Sequence, residues 1–315
     1  MSADPGYSYH RVPVSVLGNG HELSVGVHEL TGSQPGPTIG ITGGLHGDEP
    51  DTVEFVRCFI ERMRQVSFAG TILAVPCANP LAYESRTRNT PNDMMDLNRV
   101  FPGDPDGTLT QQLAAKIYAV FTQRCDYFVD LHCGGLFPAV EYAYVHGDEG
   151  LARSAGLKLL YTGPSSNGSL ALCLEQGGMR TTVLEIGGGR TSSVHGTGRA
   201  CSALERILGY CGMLGSVPEP SPDQVEIDKV QILRPHHGGM LISRLTLDDL
   251  GSALPGGTEV ATIVSPQTLE PLERLVAPFD PSYVILAREG FTPASPGDFG
   301  FIFGRPAHGT AAEAQ

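Results

Sequence analysis

Hydrophobic positions in the first two-thirds of the chain follow two different periodicities. Residues 37–43 and 71–77 are short runs rich in apolar and β-branched side chains, which is typical of buried strands. Residues 50–66 repeat apolar side chains every three or four positions, and this spacing predicts an amphipathic helix. The chain therefore begins with strand and helix segments in alternation.

The same alternation continues towards residue 215. A helix is predicted from Leu109 to Phe121, and the runs at 126–132 and 181–186 indicate two further strands. A last helix is marked by apolar positions from Cys201 to Cys211 and ends near Gly215. Strands and helices in this order predict an α/β fold, in which helices cover a sheet.

The composition changes at residues 216–223, where proline and serine are frequent, as in a linker. After it, short apolar runs are separated by glycine- and proline-rich turns, which predicts a small all-β barrel or sandwich. We therefore predict one domain over residues 1–218, a β-rich domain over 222–306 and a flexible tail over 307–315.

Composition and charge narrow the function classes. The 315 residues include 41% hydrophobic and 17% charged side chains, as in an ordinary globular protein. A net charge of −13 repels phosphate backbones and anionic lipids, so we expect neither nucleic acid nor a membrane as a partner. The seven cysteines form no CxxC pair and the first residues lack a secretory pattern, so we expect a reducing cytoplasm.

Candidate metal ligands stand in a glycine-rich turn between a predicted strand and a predicted helix. The turn reads GGLHGDE, and His46 and Glu49 are close enough in it to reach one point. Imidazole and carboxylate groups are good zinc ligands, and a catalytic zinc usually has three protein ligands. The HxxE spacing alone is equally consistent with a solvated turn.

Two more polar residues stand at the ends of predicted strands. His132 closes the run DYFVDLH, and Glu185 follows the run TTVL. Side chains at the carboxyl ends of strands in an open α/β sheet point into the crevice that binds ligands. A carboxylate at the end of an apolar strand is costly unless it has a partner or a function. His132 is therefore a candidate third ligand, and Glu185 a candidate catalytic group.

The polar stretch 79–107 is too long for a plain connection and is predicted to be a functional loop. It carries Arg86, Arg88, Asn98 and Arg99. Arginine binds carboxylates through two parallel hydrogen bonds, so these residues could hold an anionic substrate and stabilise an oxyanion. A solvated loop with structural ion pairs is the alternative for these residues alone.

Taken together and in order, four motifs resemble the succinylglutamate desuccinylase/aspartoacylase family of the zinc carboxypeptidase-like clan. They are GGLHGDE, NPLA with the DLNRVFPG stretch, DLHCGG and LEIGGG. The closest likeness is to the branch of N-acetyldiaminobutyrate deacetylase-type enzymes. The resemblance implies a zinc carboxypeptidase-like mixed sheet flanked by helices, with a small C-terminal all-β domain of barrel-sandwich type.

The resemblance also implies roles for the candidate residues. It implies one zinc ion per chain, held by His46, Glu49 and His132. Glu185 matches the general base and acid, and Arg88 the arginine that polarises the scissile carbonyl. The loop alignment leaves Arg86 as an alternative to Arg88. The pair implied to hold the substrate carboxylate is Asn98 and Arg99.

The implied activity is the removal of an acyl group, such as acetyl or succinyl, from the nitrogen of a small amino acid or related carboxylate. A metallocarboxypeptidase acting on short peptides would use the same residues, and a zinc-binding module without catalysis would keep the ligands alone. A cysteine hydrolase based on Cys133 is disfavoured, because neighbours in a strand point to opposite faces. A homo-oligomer is the common outcome for such enzymes.

Residues 225–305 resemble the barrel-sandwich shape of biotinyl and lipoyl carriers. Such a carrier needs a lysine at a hairpin tip, but the last lysine is Lys229, at the start of this segment and ahead of its glycine-rich turns. In the family this domain narrows the entrance to the site, which favours small substrates. His236 and His237 precede two glycines, and a surface turn is favoured there over a second metal site.

Overall fold

The structure is a computed structural model that describes residues 6–189, 194–215 and 223–307. Within these ranges the chain forms sixteen strands and six α-helices. The predicted linker lies outside the described residues except for Asp223, and so does the predicted tail except for Ala307. No helix of the described part is both long and apolar enough to cross a membrane.

The strands fall into a mixed sheet of twelve and a second sheet of four in the described part of the chain. The strands up to residue 189 are β1 (Gly6–Val16), β2 (Glu22–Thr31), β3 (Gln34–Thr42), β4 (Ala69–Val75), β5 (Tyr127–His132), β6 (Tyr142–Tyr144), β7 (Leu159–Tyr161) and β8 (Arg180–Glu185). The later strands are β9 (Val225–Leu233), β10 (Gly239–Ser243), β11 (Ala253–Leu254), β12 (Glu259–Val264), β13 (Pro271–Val276), β14 (Ser282–Leu286), β15 (Phe291–Ala294) and β16 (Phe301–Pro306).

Helices cover both faces of the large sheet, as the sequence predicted. On one face, a core that includes Phe55, Leu151 and Leu204 joins three helices to the sheet. On the other face, Ile117 and Leu174 belong to a core that joins two other helices to it. The helices are α1 (Pro50–Met63), α2 (Pro80–Ser85), α3 (Leu109–Thr122), α4 (Glu149–Ser154), α5 (Leu170–Gln176) and α6 (Val194–Tyr210).

The order of the large sheet is β1-β2-β4-β3-β5-β8-β6-β7-β9-β16-β14-β11. Strands β4, β3, β5 and β8 are parallel neighbours, so their carboxyl ends meet at one edge. In an open α/β sheet this edge is where ligands bind. His132 and Glu185 are directly paired in the β5–β8 register, so the parallel arrangement brings these two strand ends together.

The C-terminal strands continue the large sheet. Strand β9 pairs in parallel with β7, and β16, β14 and β11 follow it in antiparallel pairs. The second sheet, in the order β13-β12-β10-β15, shares a core with them, which contains Leu241, Val260, Leu275, Phe301 and Phe303. The strand-rich C-terminal region is thus present. The division into domains at residues 218 and 222 stays a prediction, since one sheet continues across it.

The predicted loop 79–107 contains more regular structure than its polar composition suggests. Helix α2 begins after Asn79, whose side chain accepts a hydrogen bond from the Ala82 amide at 3.1 Å. Pro80 in the first turn fits a helix start, because its missing N–H is not needed there. A short 3-10 helix follows at Leu97–Arg99, capped by Asp96. The predicted functional loop therefore includes one short α-helix and one 3-10 turn.

Candidate active site

His46, Glu49 and His132 come together in the structure. One ligand atom from each lies within 4.8 Å of the others, and all three side chains are buried. The two Nδ1 atoms face opposite oxygens of the Glu49 carboxylate, at 2.7 Å for His46 and 3.0 Å for His132. Within the described ranges no other group of three such side chains is as close.

The turn that carries His46 and Glu49 depends on close backbone packing. Gly44 adopts a φ of +61°, a conformation that favours glycine. A Cβ atom on Gly47 would lie 1.9 Å from the carbonyl oxygen of Ala82, so only glycine fits against α2. Glu49 is the residue just before α1, where Pro50 begins the helix. The glycines of the motif therefore position the two candidate ligands.

Two further carboxylates hold the far nitrogens of the histidines. His46 Nε2 lies 3.1 Å from Asp96 Oδ1, and His132 Nε2 lies 3.1 Å from Asp130 Oδ2. Asp130 is fully buried and also accepts a hydrogen bond from Thr42. A carboxylate on the far nitrogen fixes the tautomer of a metal-binding histidine and orients its ring. Both histidines are thus oriented with Nδ1 toward Glu49.

Charges within the cluster shift the pKa values of its members. Burial by itself lowers the pKa of His46, but the neighbouring carboxylates of Glu49 and Asp96 offset this and raise it above its usual value. Burial opposes ionisation of Glu49, yet the two imidazoles hold its pKa well below the ordinary range. A cation that binds there would replace the protons of the imidazoles.

Glu185 lies at the end of β8, beside the cluster. It faces His132 on one neighbouring strand and Tyr142 on the other. Burial raises the pKa of Glu185 to about 7. A carboxyl group with a pKa near neutrality can both take up and release a proton, which suits general acid–base catalysis.

Arg88 and Arg86 are placed differently. Arg88 lines the same cavity as His46, and its Nη1 atom lies 3.6 Å from Glu49 Oε1 while its Nε donates to Asp96. Arg86 ends α2 in a left-handed conformation and is not among the residues that line the cavity. The geometry therefore favours Arg88 as the arginine that faces a substrate.

Asn98 and Arg99 also line the cavity. Asn98 is buried, and its amide oxygen accepts a hydrogen bond from the Leu170 backbone while its Nδ2 lies 3.1 Å from His132 Nε2. Arg99 is exposed, and its Nη1 donates to the Asn98 carbonyl at 2.6 Å. The 3-10 helix thus presents Arg99 to the cavity and anchors Asn98 beneath it.

The cavity has a volume of about 400 Å³, which suits a small molecule. It contains all seven residues predicted for the site. Their catalytic and binding roles stay predictions at this point. Cys133 lines the cavity too, but burial raises the pKa of its thiol far above the usual value, which speaks against a cysteine nucleophile.

Several cavity residues were missed by the sequence analysis. Tyr142, Tyr144 and His146 lie along β6 and just after it, and all three line the cavity. Their period of two, in the sequence YAYVH, was the available signal. Asp130 stands two residues before His132, so the strand period would also have placed it on the same face.

His236 and His237 are not part of the candidate metal-binding group. Their backbone amides donate to Glu273 at 2.8 and 2.9 Å, and the His237 ring is exposed. These contacts are those of a turn held by one carboxylate, as the sequence analysis favoured.

Several known proteins are similar to this chain in sequence or in fold. A curated protein of Halomonas elongata, N-alpha-acetyl-L-2,4-diaminobutyric acid deacetylase, is 28% identical over 230 residues, which cover 68% of this chain and 67% of that protein. A crystal structure of a succinylglutamate desuccinylase/aspartoacylase from Rhodobacter sphaeroides superposes with a TM-score of 0.82 at 22% identity and covers 97% of both chains.

A second solved structure is similar in fold. The product-bound ectoine utilization protein EutE (DoeB) from Ruegeria pomeroyi has a TM-score of 0.81 at 21% identity and covers 96% of this chain and 95% of that one. Residues 35–195, more than half of the chain, match the family model described as the succinylglutamate desuccinylase/aspartoacylase catalytic domain. With that match, the sheet and the motifs in place, the chain belongs to the succinylglutamate desuccinylase/aspartoacylase family.

Proposed function

We propose that this protein is a zinc-dependent amidohydrolase that removes an acyl group, such as acetyl or succinyl, from the nitrogen of a small amino acid or related carboxylate. The observation that carries the proposal is the convergence of the His46, Glu49 and His132 ligand atoms in one cavity with Glu185 and Arg88. The curated relative is named as a deacetylase of an N-acetylated amino acid, which supports the same reaction class.

The donor set fits one zinc ion. Two imidazole nitrogens and one carboxylate oxygen are the three protein ligands of several catalytic zinc sites, which leave a further position open. The carboxylates of Asp96 and Asp130 orient the two imidazoles as such sites require. Zinc bound there would lower the pKa of a coordinated water to roughly 7 and polarise a carbonyl group.

Glu185 would move the protons of the reaction. Its carboxylate would take a proton from the attacking water and pass it to the nitrogen that leaves as an amine. The pKa of about 7 lets the same group act first as a base and then as an acid. At the end of β8, where it pairs with His132, Glu185 lies beside the three candidate ligands and is not one of them.

Arg88 and Arg99 would stabilise negative charge on the substrate. Arg88 would donate hydrogen bonds to the oxygen of the scissile carbonyl as charge develops on it. Arg99, together with Asn98, would bind the carboxylate of the substrate and so place the amide bond near the ligand cluster. Both arginines line the cavity, which gives the substrate one cation at each of two positions.

Replacing Arg88 with methionine should lower kcat by about 10²–10³-fold, because one donor to the developing oxyanion is lost. The matched control is Arg86→Met, in which a neighbouring exposed arginine outside the cavity is changed in the same way. Steady-state kinetics and zinc content of both variants are the measurements. Full activity in Arg88→Met together with a large loss in Arg86→Met would reverse the assignment of the two arginines.

The experiment that tests the proposed function is the metal content of the purified protein, paired with amine release from a panel of N-acyl amino acids. About one zinc per chain, and release that a chelator stops and added zinc restores, is the expected result. Short peptides with a free carboxyl terminus belong in the panel, because their preferential hydrolysis would indicate a carboxypeptidase. Zinc binding without release from any compound would indicate a binding module.

We also propose that the enzyme works in a reducing cytoplasm. All seven cysteines are free thiols, as expected of a protein from such a compartment. Its acidic net charge agrees with a small-molecule substrate and disfavours nucleic acid or anionic membranes as partners.

A further inference from the structure

One wall of the cavity is made by the C-terminal strands. Leu286 on β14 pairs with Ile302 on β16, and Ile302 pairs with Ile232 on β9. The three side chains therefore form a row across three neighbouring strands, and all three line the cavity. Val230, two residues before Ile232 and so on the same face, extends the row along β9.

This wall is apolar throughout. The residues between 223 and 307 that line the cavity are all aliphatic or aromatic, and none has a charged or hydrogen-bonding side chain. They are Val230, Ile232, Ile285, Leu286, Phe299 and Ile302. A charged group of a substrate would find no partner on this side, because burial of an unpaired charge is costly.

Part of the wall is not covered by the protein itself. Ile232 is 38% exposed and Phe299 is 39% exposed, and Leu136, another residue of the cavity lining, is 78% exposed. Removing such surface from water is favourable in proportion to its area. An apolar group inside the cavity would therefore gain affinity from contact with it.

The wall reaches the reacting groups. Tyr142, the register partner of Glu185, shares a buried cluster with Ile285. Val230 and Ile302 pack against that cluster. A substrate whose amide bond lies beside Glu185 could therefore place an apolar group against the wall.

The wall is also held in place. Arg288 is buried and donates to the carbonyl oxygens of Phe299 and Pro293, both at 2.9 Å. Its guanidinium lies 5.3 Å from the centre of the ring of Phe137, which also lines the cavity. One buried side chain thus holds both Phe299 and Phe137 in place, as a pre-formed binding site requires.

We propose that this wall binds an apolar group of the substrate, so that the enzyme acts on N-acyl amino acids with an aliphatic or aromatic side chain or with an acyl chain longer than acetyl. The inference deepens the proposed function and rests on it. An apolar side chain and a long acyl chain would make the same kind of contact with the wall. Two series of substrates distinguish between them.

The first series keeps the acetyl group and varies the amino acid from glycine through alanine and norvaline to norleucine. The second keeps glycine and lengthens the acyl group from acetyl to hexanoyl. We expect kcat/KM to rise by about fourfold per methylene in one of the two series, as for transfer of a CH₂ group out of water. N-acetylaspartate and N-acetyl-2,4-diaminobutyrate, whose side chains are charged, should be poorer substrates than the apolar compounds of equal size.

Ile232→Thr is the variant that tests the wall, because it keeps the β-branched shape that suits strand β9. The same kind of change at Val276→Thr, on an exposed position of β13 outside the cavity, is the control. Ile232→Thr should flatten the rising series, whereas Val276→Thr should leave the series as in the wild type. An equal loss for every substrate would show a structural role and overturn the proposal, as would a preference for the charged substrates.

Measurements of substrate affinity distinguish a failure of this proposal from a failure of the proposed function. The affinities of both series for the Glu185→Gln protein are measured by calorimetry, which needs no turnover. Affinity that rises with apolar size supports the wall even if the wild-type protein hydrolyses none of the compounds, and the failure then belongs to the proposed function. If the wild-type protein hydrolyses the compounds but the affinities do not change along either series, the proposed role of the wall is wrong and the proposed function stands.

Discussion

Glu185→Gln is expected to lower kcat by about 10²–10⁴-fold while zinc content stays near one per chain. Glutamine has the size and shape of glutamate but cannot accept and return a proton at neutral pH. Glu185 is not one of the three residues whose candidate ligand atoms converge, so its replacement should leave those atoms in place. Single-turnover rates and metal analysis of the purified variant measure the two quantities separately.

The matched control for this prediction is Glu84→Gln, an exposed glutamate at the end of α2 that does not line the cavity. It should retain wild-type rates. Turnover of Glu185→Gln within a few-fold of wild type would remove Glu185 from the mechanism and would leave another group to transfer the proton. Loss of zinc in the same variant would show instead that Glu185 supports the metal site.

His46→Asn is expected to reduce zinc affinity by more than the roughly 10–100-fold that is typical when only a partner of a metal ligand is lost. Amine release at micromolar zinc should fall with zinc occupancy. His46 is a better choice than His132, because Asp96 keeps its contacts with Arg88 and the Asn98 amide. Removal of His132 would leave the fully buried Asp130 without its imidazole partner, which destabilises the fold.

His237→Asn is the control for the metal prediction, since His237 is exposed in a turn held by Glu273. Equilibrium dialysis of zinc against both variants and the wild type gives the affinities. Unchanged zinc affinity in His46→Asn would contradict the ligand assignment. A loss in His237→Asn would show that the turn binds metal, contrary to the geometry.

The turn that carries His46 and Glu49 shows how much the local sequence can predict. The spacing of His46 and Glu49 between a strand and a helix was readable, because the glycines that allow the turn are in the motif itself. The reason for Gly47 was not readable, since the carbonyl that it faces belongs to α2, more than thirty residues later. The motif predicts a turn, and only packing explains why the turn excludes a side chain.

The loop 79–107 shows a second limit. Its arginines and asparagine were identified by their chemistry, but nothing local separates Arg86 from Arg88. The left-handed backbone at Arg86 ends α2 and leads that side chain away from the cavity lining, while Arg88 contacts Asp96. Which of two nearby arginines faces a substrate depends on where a helix ends in three dimensions.

By itself, the sequence determined the alternation of strands and helices, the strand ends that carry His132 and Glu185, and the four motifs of the family. These features are encoded within a few residues, through hydrophobic period and turn chemistry. Only the tertiary structure decided that β9 and β16 continue the large sheet and supply an apolar wall to the cavity. Pairing between strands far apart in the chain is fixed by packing of the whole molecule, and no local pattern specifies it.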